Sequence, residues 1–147
     1  APIVFGLSFT NAEDTALSLT LISSDVDGPA TNLTVVAQPT HGTLTGTAPN
    51  LTYSPATNYN GPDSFTFTVN DGSLPSAVAT VTITNRPVND APIAFNQNQT
   101  TPEDTPLAIT LTAYDPDGPV TNFTIVTLPM NGTLTNTGNM NAEKLRR

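Results

Sequence analysis

The sequence predicts an all-β fold, an antiparallel β-sandwich that occurs once in full and once in part. The 147 residues include 27 Thr, 15 Asn and 14 Pro, and only 11% of them are charged. β-Branched Thr favours strands, whereas Asn, Pro and Gly favour turns, so helical bundles are disfavoured. Short alternating runs of apolar and polar residues, separated by turn clusters, have the spacing typical of a sandwich.

An internal repeat shows how often the sandwich occurs. The sequence matches itself without gaps at a period of 90 residues, with about half of ~48 aligned positions identical. Glu13-Asp14-Thr15 recurs as Glu103-Asp104-Thr105, and the match ends near Gly138. We therefore predict a complete repeat over 1–90, a partial second repeat over 91–138 that contains strands A to D only, and an unrelated basic tail over 139–147.

Seven strands, A to G, are predicted in the complete repeat, with Greek-key connections. Their predicted bounds are Ile3–Thr10, Ala16–Ser23, Asn32–Ala37, Gly42–Thr47, Asn50–Tyr53, Ser64–Val69 and Ala77–Thr84. In strand F, Phe65, Phe67 and Val69 face inwards. The partial repeat restates strands B, C and D with six apolar residues, namely Leu107, Ile109, Leu111, Phe123, Ile125 and Leu134. The equivalents of E, F and G are missing.

Composition excludes several classes of function. The chain has no Cys and a single cation in residues 1–141, Arg86, so thiol chemistry and nucleic-acid binding are not expected. No apolar run approaches the ~20 residues of a membrane span. The chain lacks Trp and has one His, His41, without a nucleophile motif beside it. We therefore expect no enzymatic activity, no membrane insertion and no strong glycan binding.

The acidic residues can be sorted by strand order, because every second turn of an antiparallel sandwich falls at the same end. Eleven of the twelve acidic residues lie at strand ends by this rule, the exception being Glu143. The opposite end of the complete repeat collects Asp25, Asp27 and Asp71. The predicted junction between the repeats collects six oxygen-bearing side chains, namely Glu13, Asp63, Asn89, Asp90, Asp115 and Asp117. Asp14 is expected close by.

This junction cluster is expected to bind Ca²⁺. Neighbouring carboxylates repel by about 1 kcal/mol per pair in water and up to ~4 kcal/mol near a low-dielectric surface, and one cation faces eleven carboxylates in residues 1–141. Ca²⁺ takes about six to eight oxygen ligands, and Asp-x-Asp spacing places two carboxylates around one ion, whereas Mg²⁺ demands stricter geometry. The alternative is that the Asp-Gly and Asn-Asp pairs only form turns, above all Asp71 in Asn70-Asp71-Gly72.

The motifs occur in a specific order over both repeats. They are Pro39-Thr40-His41-Gly42-Thr43-Leu44, Tyr53-Ser54-Pro55, Gly61-Pro62-Asp63-Ser64-Phe65, Asn70-Asp71-Gly72, Asn89-Asp90-Ala91-Pro92-Ile93, Glu103-Asp104-Thr105-Pro106-Leu107 and Asp115-Pro116-Asp117-Gly118. This order resembles the cadherin-like tandem repeats of bacterial and archaeal surface proteins and adhesins. The resemblance implies a cadherin/Ig-like sandwich with Ca²⁺ between successive domains.

The resemblance also implies a role for each acidic position. Glu13 is similar to the Glu after strand A, Asp63 to the acid before strand F, Asn89-Asp90 to the linker, and Asp115 with Asp117 to the Asp-x-Asp pair. Asp25, Asp27 and Asp71 resemble the half-site that faces a preceding domain. The shorter linker and single acid before strand F depart from the animal pattern, which implies fewer ions per junction.

Two functions follow as hypotheses. The first is a non-enzymatic structural or adhesion repeat of an extracellular surface or filamentous protein, with Ca²⁺ stiffening the junction. The second is a self-assembling fibre subunit, because half a sandwich leaves strand edges and an apolar face open to a strand from a neighbouring chain. The expected partners are therefore neighbouring repeats or like subunits.

Overall fold

The computed structural model describes residues 1–26, 28, 32–136 and 145–146, which fall into two units, Ala1–Val88 and Asn89–Arg147. We call them unit 1 and unit 2. The described residues form strands, turns and irregular segments and contain no helix, so the predicted all-β class is confirmed. Accordingly, this part of the chain has no helix of the length and apolar character that a membrane crossing requires.

Unit 1 is a sandwich of two main sheets. One sheet has the order β2-β9-β8-β5 and the other β3-β7-β6, while β1 pairs with β4. The strands are β1 (Ile3–Val4), β2 (Leu7–Ala12), β3 (Leu17–Thr20), β4 (Ser23–Ser24), β5 (Asn32–Ala37), β6 (Gly42–Thr47), β7 (Asn50–Pro55), β8 (Gly61–Asn70) and β9 (Ala79–Arg86). Thr occupies outward positions along most of them, which suits a solvated face of a β-sheet.

The core of unit 1 lies between these two sheets. Alternate residues of β8 and β9 point inwards, so that every second side chain is buried. Burying a large apolar side chain stabilises the fold by roughly 1.5–3 kcal/mol. The largest fully buried side chains are Tyr53, Phe65, Phe67, Val69, Val81 and Ile83. The inward residues predicted for strands F and G therefore form the core.

The pairing of β2 with β9 differs from the prediction. Both strands run in the same direction, with Leu7 opposite Val81 and Ala12 opposite Arg86, so the expectation of antiparallel pairing throughout is wrong here. No hairpin joins these two strands, and their long connection permits either direction. The predicted strand A is divided into β1 and β2 at Phe5 and Gly6, where the chain leaves β4 and joins β9.

The position of Asp63 also differs from the prediction. Strands β5 and β6 have the predicted bounds, but β8 begins at Gly61, so Asp63 lies inside the strand and not in the turn before it. Its side chain is on the inward face, with 7% of its surface exposed. A charged residue at an inward position is uncommon. The strand can include it because backbone N–H groups and the Tyr53 hydroxyl donate hydrogen bonds to its carboxylate.

Unit 2 repeats part of this architecture at the same 90-residue offset. β10 pairs with β12 just as β1 pairs with β4. β11 and β13 fall at positions equivalent to β3 and β6, and β14 pairs with both of them. The strands are β10 (Ile93–Ala94), β11 (Ala108–Ile109), β12 (Ala113–Tyr114), β13 (Thr135–Asn136) and β14 (Leu145–Arg146).

Two features of unit 2 differ from the prediction. The segment around Phe123 and Ile125, predicted to repeat strand C, is not a strand. Conversely, Leu145–Arg146 form β14 and pair with β11 and β13, although only strands A to D were predicted for this repeat and the tail over 139–147 was predicted to be unrelated to it; the other residues of the tail lie outside the described part. No side chain in residues 89–135 is fully buried, whereas unit 1 has a continuous buried core.

Candidate functional site

Asp63 is the most completely bonded of the predicted ligand residues. Its Oδ1 accepts hydrogen bonds from the backbone N–H groups of Thr40 and Ser64, both at 2.9 Å. Its Oδ2 accepts from the N–H of His41 at 3.0 Å and from the hydroxyl of Tyr53 at 2.9 Å. A carboxylate has about four lone-pair sites. A cation at Asp63 would therefore have to displace one of these donors.

These hydrogen bonds determine the charge states of Asp63 and Tyr53. Burial by itself would raise the pKa of Asp63, but the hydrogen bonds from Thr40, Tyr53, Ser64 and His41 outweigh it and hold this pKa below its ordinary value. Burial, with the carboxylate close by, raises the pKa of Tyr53 to about 12. Asp63 is thus a carboxylate, and Tyr53 is a neutral phenol whose hydroxyl donates a hydrogen bond to it.

Asn85 extends this network into the core. Its Nδ2 donates to the Tyr53 hydroxyl at 3.1 Å, and 2% of the residue is exposed. The Asn85 Oδ1 atom is buried and has no hydrogen-bond partner in the described residues. Sequence reasoning missed Asn85 and Tyr53. The signal was present, because Asn85 follows Ala79, Val81 and Ile83 at an inward position where a polar residue needs a partner.

Glu13 forms a second internal link. It follows β2, and 2% of it is exposed. Its Oε1 accepts from the N–H of Val88 at 2.7 Å, and its Oε2 from Nδ2 of Asn60 at 3.3 Å. Its own N–H donates to the carbonyl of Arg86 at 2.9 Å. Glu13 therefore ties the end of β2 to the segment that follows β9.

The predicted half-site at the opposite end of unit 1 is only partly described. Asp71 accepts from the N–H groups of Ser73 at 2.7 Å and Leu74 at 2.8 Å, and these bonds lower its pKa. This is the geometry of a turn-forming Asp, as the alternative interpretation expected. Asp25 follows β4 and is half-buried, and Asp27 lies outside the described residues.

Unit 2 brings four predicted ligand residues together, namely Asn89, Asp90, Asp115 and Asp117. The N–H of Asp90 donates to Oδ2 of Asp117, and the N–H of Asp117 donates to Oδ1 of Asp115 at 3.0 Å. The Asn89 side chain bonds to the carbonyl of Asp90 at 3.0 Å. Within the described residues, no three His, Asp or Glu side chains are arranged closely enough to hold a metal ion. The calcium site therefore stays a prediction.

His41 has a structural contact. Its ring stacks on that of Tyr59, with the centroids 4.1 Å apart and the planes 1° from parallel. The Tyr59 hydroxyl donates to the carbonyl of Pro62 at 2.8 Å. The loop that carries His41 is therefore held against the start of β8, where its N–H reaches Asp63.

Comparison with known proteins identifies a family model and a similar structure. A model of the bacterial Ig domain matches residues 1–84 and residues 89–143. No curated protein matches the chain. Among solved structures, an endo-fucoidan hydrolase from glycoside hydrolase family 107 aligns with 21% identity and a TM-score of 0.43, over 98% of this chain and 22% of that chain. This chain thus spans less than a quarter of the hydrolase.

Proposed function

This chain belongs to the bacterial Ig domain family, and we propose that it is a non-enzymatic structural repeat of an extracellular surface protein, in which unit 1 works as a spacer that bears tension. The observation that carries this proposal is the parallel pairing of β2 with β9. These are the first and the last long strands of unit 1.

Parallel neighbours near the two ends of a unit resist extension. A pull on both ends drags β2 and β9 in opposite directions along their common axis, so the hydrogen bonds over six residue pairs are loaded together. An antiparallel hairpin pulled apart at its open end would instead lose its bonds one at a time. Glu13 adds a further link at the end of β2, through the N–H of Val88.

The buried carboxylates support the same proposal. Asp63 and Glu13 are the charged residues most buried in unit 1, and both accept hydrogen bonds from backbone and side-chain donors. Each fixes a loop to a strand. A charge that is held by several donors stabilises one arrangement of these loops, because loss of a donor leaves a buried charge unpaired.

Single-molecule extension tests this function. With handles at Ala1 and Val88, unit 1 should unfold in one event, with an increase in contour length of roughly 300 Å. Gradual extension without a distinct unfolding event would contradict a role as a tension-bearing spacer.

Calcium is the finer part of the proposal. The acids of unit 2 support it, since Asp115 and Asp117 share one turn and Asp117 is bonded to the N–H of Asp90. We propose Asp115 and Asp117 as the first ligands of a weak site, with a Kd of roughly 0.1–1 mM, as in other extracellular modules. The roles predicted for Glu13, Asp63, Asn89, Asp90 and the opposite half-site stay predictions.

Calcium titration of the full chain tests this part. At several millimolar Ca²⁺ the melting temperature should rise, and the rise should be absent in Asp117→Asn but kept in Asp104→Asn, because Asp104 is an exposed acid outside both predicted ligand sets. An equal response of the wild type and Asp117→Asn would rule out this ligand set.

A second candidate function is assembly with another chain through unit 2. The specific observation in its favour is the burial pattern. Six inward apolar residues of unit 2 are only half-buried, namely Leu107, Ile109, Leu111, Phe123, Ile125 and Leu134. Sedimentation at increasing concentration tests it, since the account expects association and a strict monomer would contradict it.

A further inference from the structure

The main sheet of unit 1 has no counterpart in the described part of unit 2. In unit 1, β2 pairs only with β9, and β5 pairs only with β8. The positions equivalent to β2 and β5 in unit 2 are 97–102 and 122–127, and neither is a strand. The segments equivalent to β1, β3, β4 and β6 do contain strands, because their partners are present.

The segments of unit 2 are therefore of two kinds, those whose partner strand is present and those whose partner strand is not. Where the partner strand exists, the second copy of the sequence forms the same pairing. β10 pairs with β12 in the same register as β1 with β4. The N–H of Phe95 donates to the carbonyl of Thr112, just as the N–H of Phe5 donates to the carbonyl of Ile22. Where the partners would be β8 and β9, the sequence remains irregular. The described residues of unit 2 contain no hairpin equivalent to β8 and β9.

The apolar residues that such a hairpin would cover are present in unit 2. In unit 1, Leu19 and Leu21 are 5% and 4% exposed. Their equivalents, Ile109 and Leu111, are only half-buried. Phe123 and Ile125 stand at the positions of Leu33 and Val35, which pack against the core that β8 and β9 complete. Ile109, Leu111, Phe123 and Ile125 therefore form a face that an apolar partner would bury.

Two backbone donors mark the position of an acid in this partner. In unit 1, the N–H groups of Thr40 and His41 both bond to the carboxylate of Asp63 on β8. The equivalent residues are Met130 and Asn131, and within the described residues their N–H groups have no hydrogen-bond partner. A strand with a carboxylate at the Asp63 position would satisfy both donors, which makes the match one of charge as well as of shape.

We propose that unit 2 is an acceptor for a β-hairpin from a separate chain, with inward aromatic and β-branched residues in the pattern of β8 and β9 and an Asp at the position of Asp63. The proposal rests on the second candidate function and names the partner that it requires. The hairpin adds its first strand to the 122–127 segment, as β8 adds to β5, and covers Phe123 and Ile125.

One edge of the acceptor is stronger than the other. Leu7 and Phe9 of β2 face the core of unit 1, but the equivalent residues in unit 2 are Gln97 and Gln99. Polar residues at these inward positions give little apolar burial to a strand that pairs there. Docking therefore depends on the 122–127 segment, and residues 97–102 contribute less.

Binding of a synthetic hairpin with the sequence of residues 61–86 to the full chain tests the proposal. Calorimetry measures affinity, and amide hydrogen exchange locates the contact. We expect saturable binding, new protection at 122–127, and weaker protection at 97–102. Ile125→Asp should weaken binding at least ~10-fold, whereas Val126→Asp, at an adjacent position that is 93% exposed, should change it less than ~2-fold. A hairpin with Asn in place of Asp63 should also bind more weakly.

Three results would overturn the proposal: no binding at about 1 mM hairpin, equal effects of Ile125→Asp and Val126→Asp, or new protection confined to unit 1. Exchange of the unit 1 core shows in each variant that unit 1 is folded. If the chain associates with itself but does not bind the hairpin, a second copy covers the face, so the hairpin acceptor is refuted while the assembly function stands. If a strictly monomeric chain binds the hairpin, the hairpin acceptor stands while the assembly function is refuted.

Discussion

At the scale of single residues, Asp63 carries the largest share of the internal bonding. It is buried beside the loop that carries Thr40 and His41 and beside the phenol of Tyr53, and it accepts four hydrogen bonds. Replacing it with Asn keeps the volume but places an amide N–H against at least one donor. We predict that Asp63→Asn lowers the free energy of unfolding by about 3 kcal/mol, because a buried hydrogen-bonded charge is lost. Urea denaturation measures this loss.

Asp14→Asn is the matched control for this prediction. Asp14 is exposed, has a positive φ of 55° that Asn also tolerates, and accepts a bond from the N–H of Asn58 at 2.9 Å. Its substitution should change stability much less. A similar loss in both variants would show that the four bonds of Asp63 are not the reason for the effect.

The same residue predicts how stability depends on acid. The pKa of Asp63 is held below its ordinary value in the folded chain, so its contribution is present above the pKa of the unfolded chain, about 4, and is lost as pH falls through the folded value. We predict that the free energy of unfolding decreases below about pH 4. Asp63→Asn should make this decrease shallower. Urea midpoints measured from about pH 5 to pH 2 check both slopes, and identical slopes would refute the assignment.

Sequence reasoning could find the acids but not their partners. The scarcity of cations indicates that the acids need another form of compensation, and a divalent ion was the expected one. In the structure, backbone N–H groups and Tyr53 take that place at Asp63. Such donors are invisible in a sequence, because they depend on where the loop at Thr40 meets β8.

At the scale of elements, strand alternation predicted more than turn rules did. The inward residues of β8 and β9 are those that alternation selects, and β5 and β6 have the predicted bounds. The parallel β2–β9 pair could not be derived in this way, because alternation records which face a residue lies on and not the direction of its neighbour strand. The break at Gly6 was also missed. In the structure, an added Cβ at Gly6 would lie 3.2 Å from the carbonyl oxygen of Thr80, and alternation does not record this close approach.

β14 provides a prediction for unit 2. In unit 1, β7 lies between β3 and β6, with Leu51 opposite Leu19 and Gly46. β14 lies between β11 and β13 at the equivalent register, with Leu145 opposite Ile109 and Asn136. We predict that deleting residues 139–147 removes amide protection at 108–109 and 135–136 and leaves the melting of unit 1 unchanged. Hydrogen exchange measures this, and unchanged protection at both sites would show that β14 does not support the sheet.

At the scale of the whole molecule, a bacterial Ig domain model matches both units, yet the units differ in what they bury. Unit 1 has a full sandwich with its own core. In unit 2 no side chain in residues 89–135 is fully buried. The repeat was visible in the sequence, but which strands of the second copy form depends on which partner strands are present, and this only the structure shows.

The direction in which unit 1 resists force tests the central claim most directly. The chain has no Cys, so pairs of introduced cysteines can carry the handles. Handles at residues 1 and 88 load the parallel β2–β9 pair along its axis. Handles at Thr20 and Thr45, on the two edge strands of the β3-β7-β6 sheet, pull those strands sideways. We predict a clearly higher unfolding force in the first geometry than in the second. Equal forces, or a higher force in the second geometry, would contradict a spacer built to bear tension.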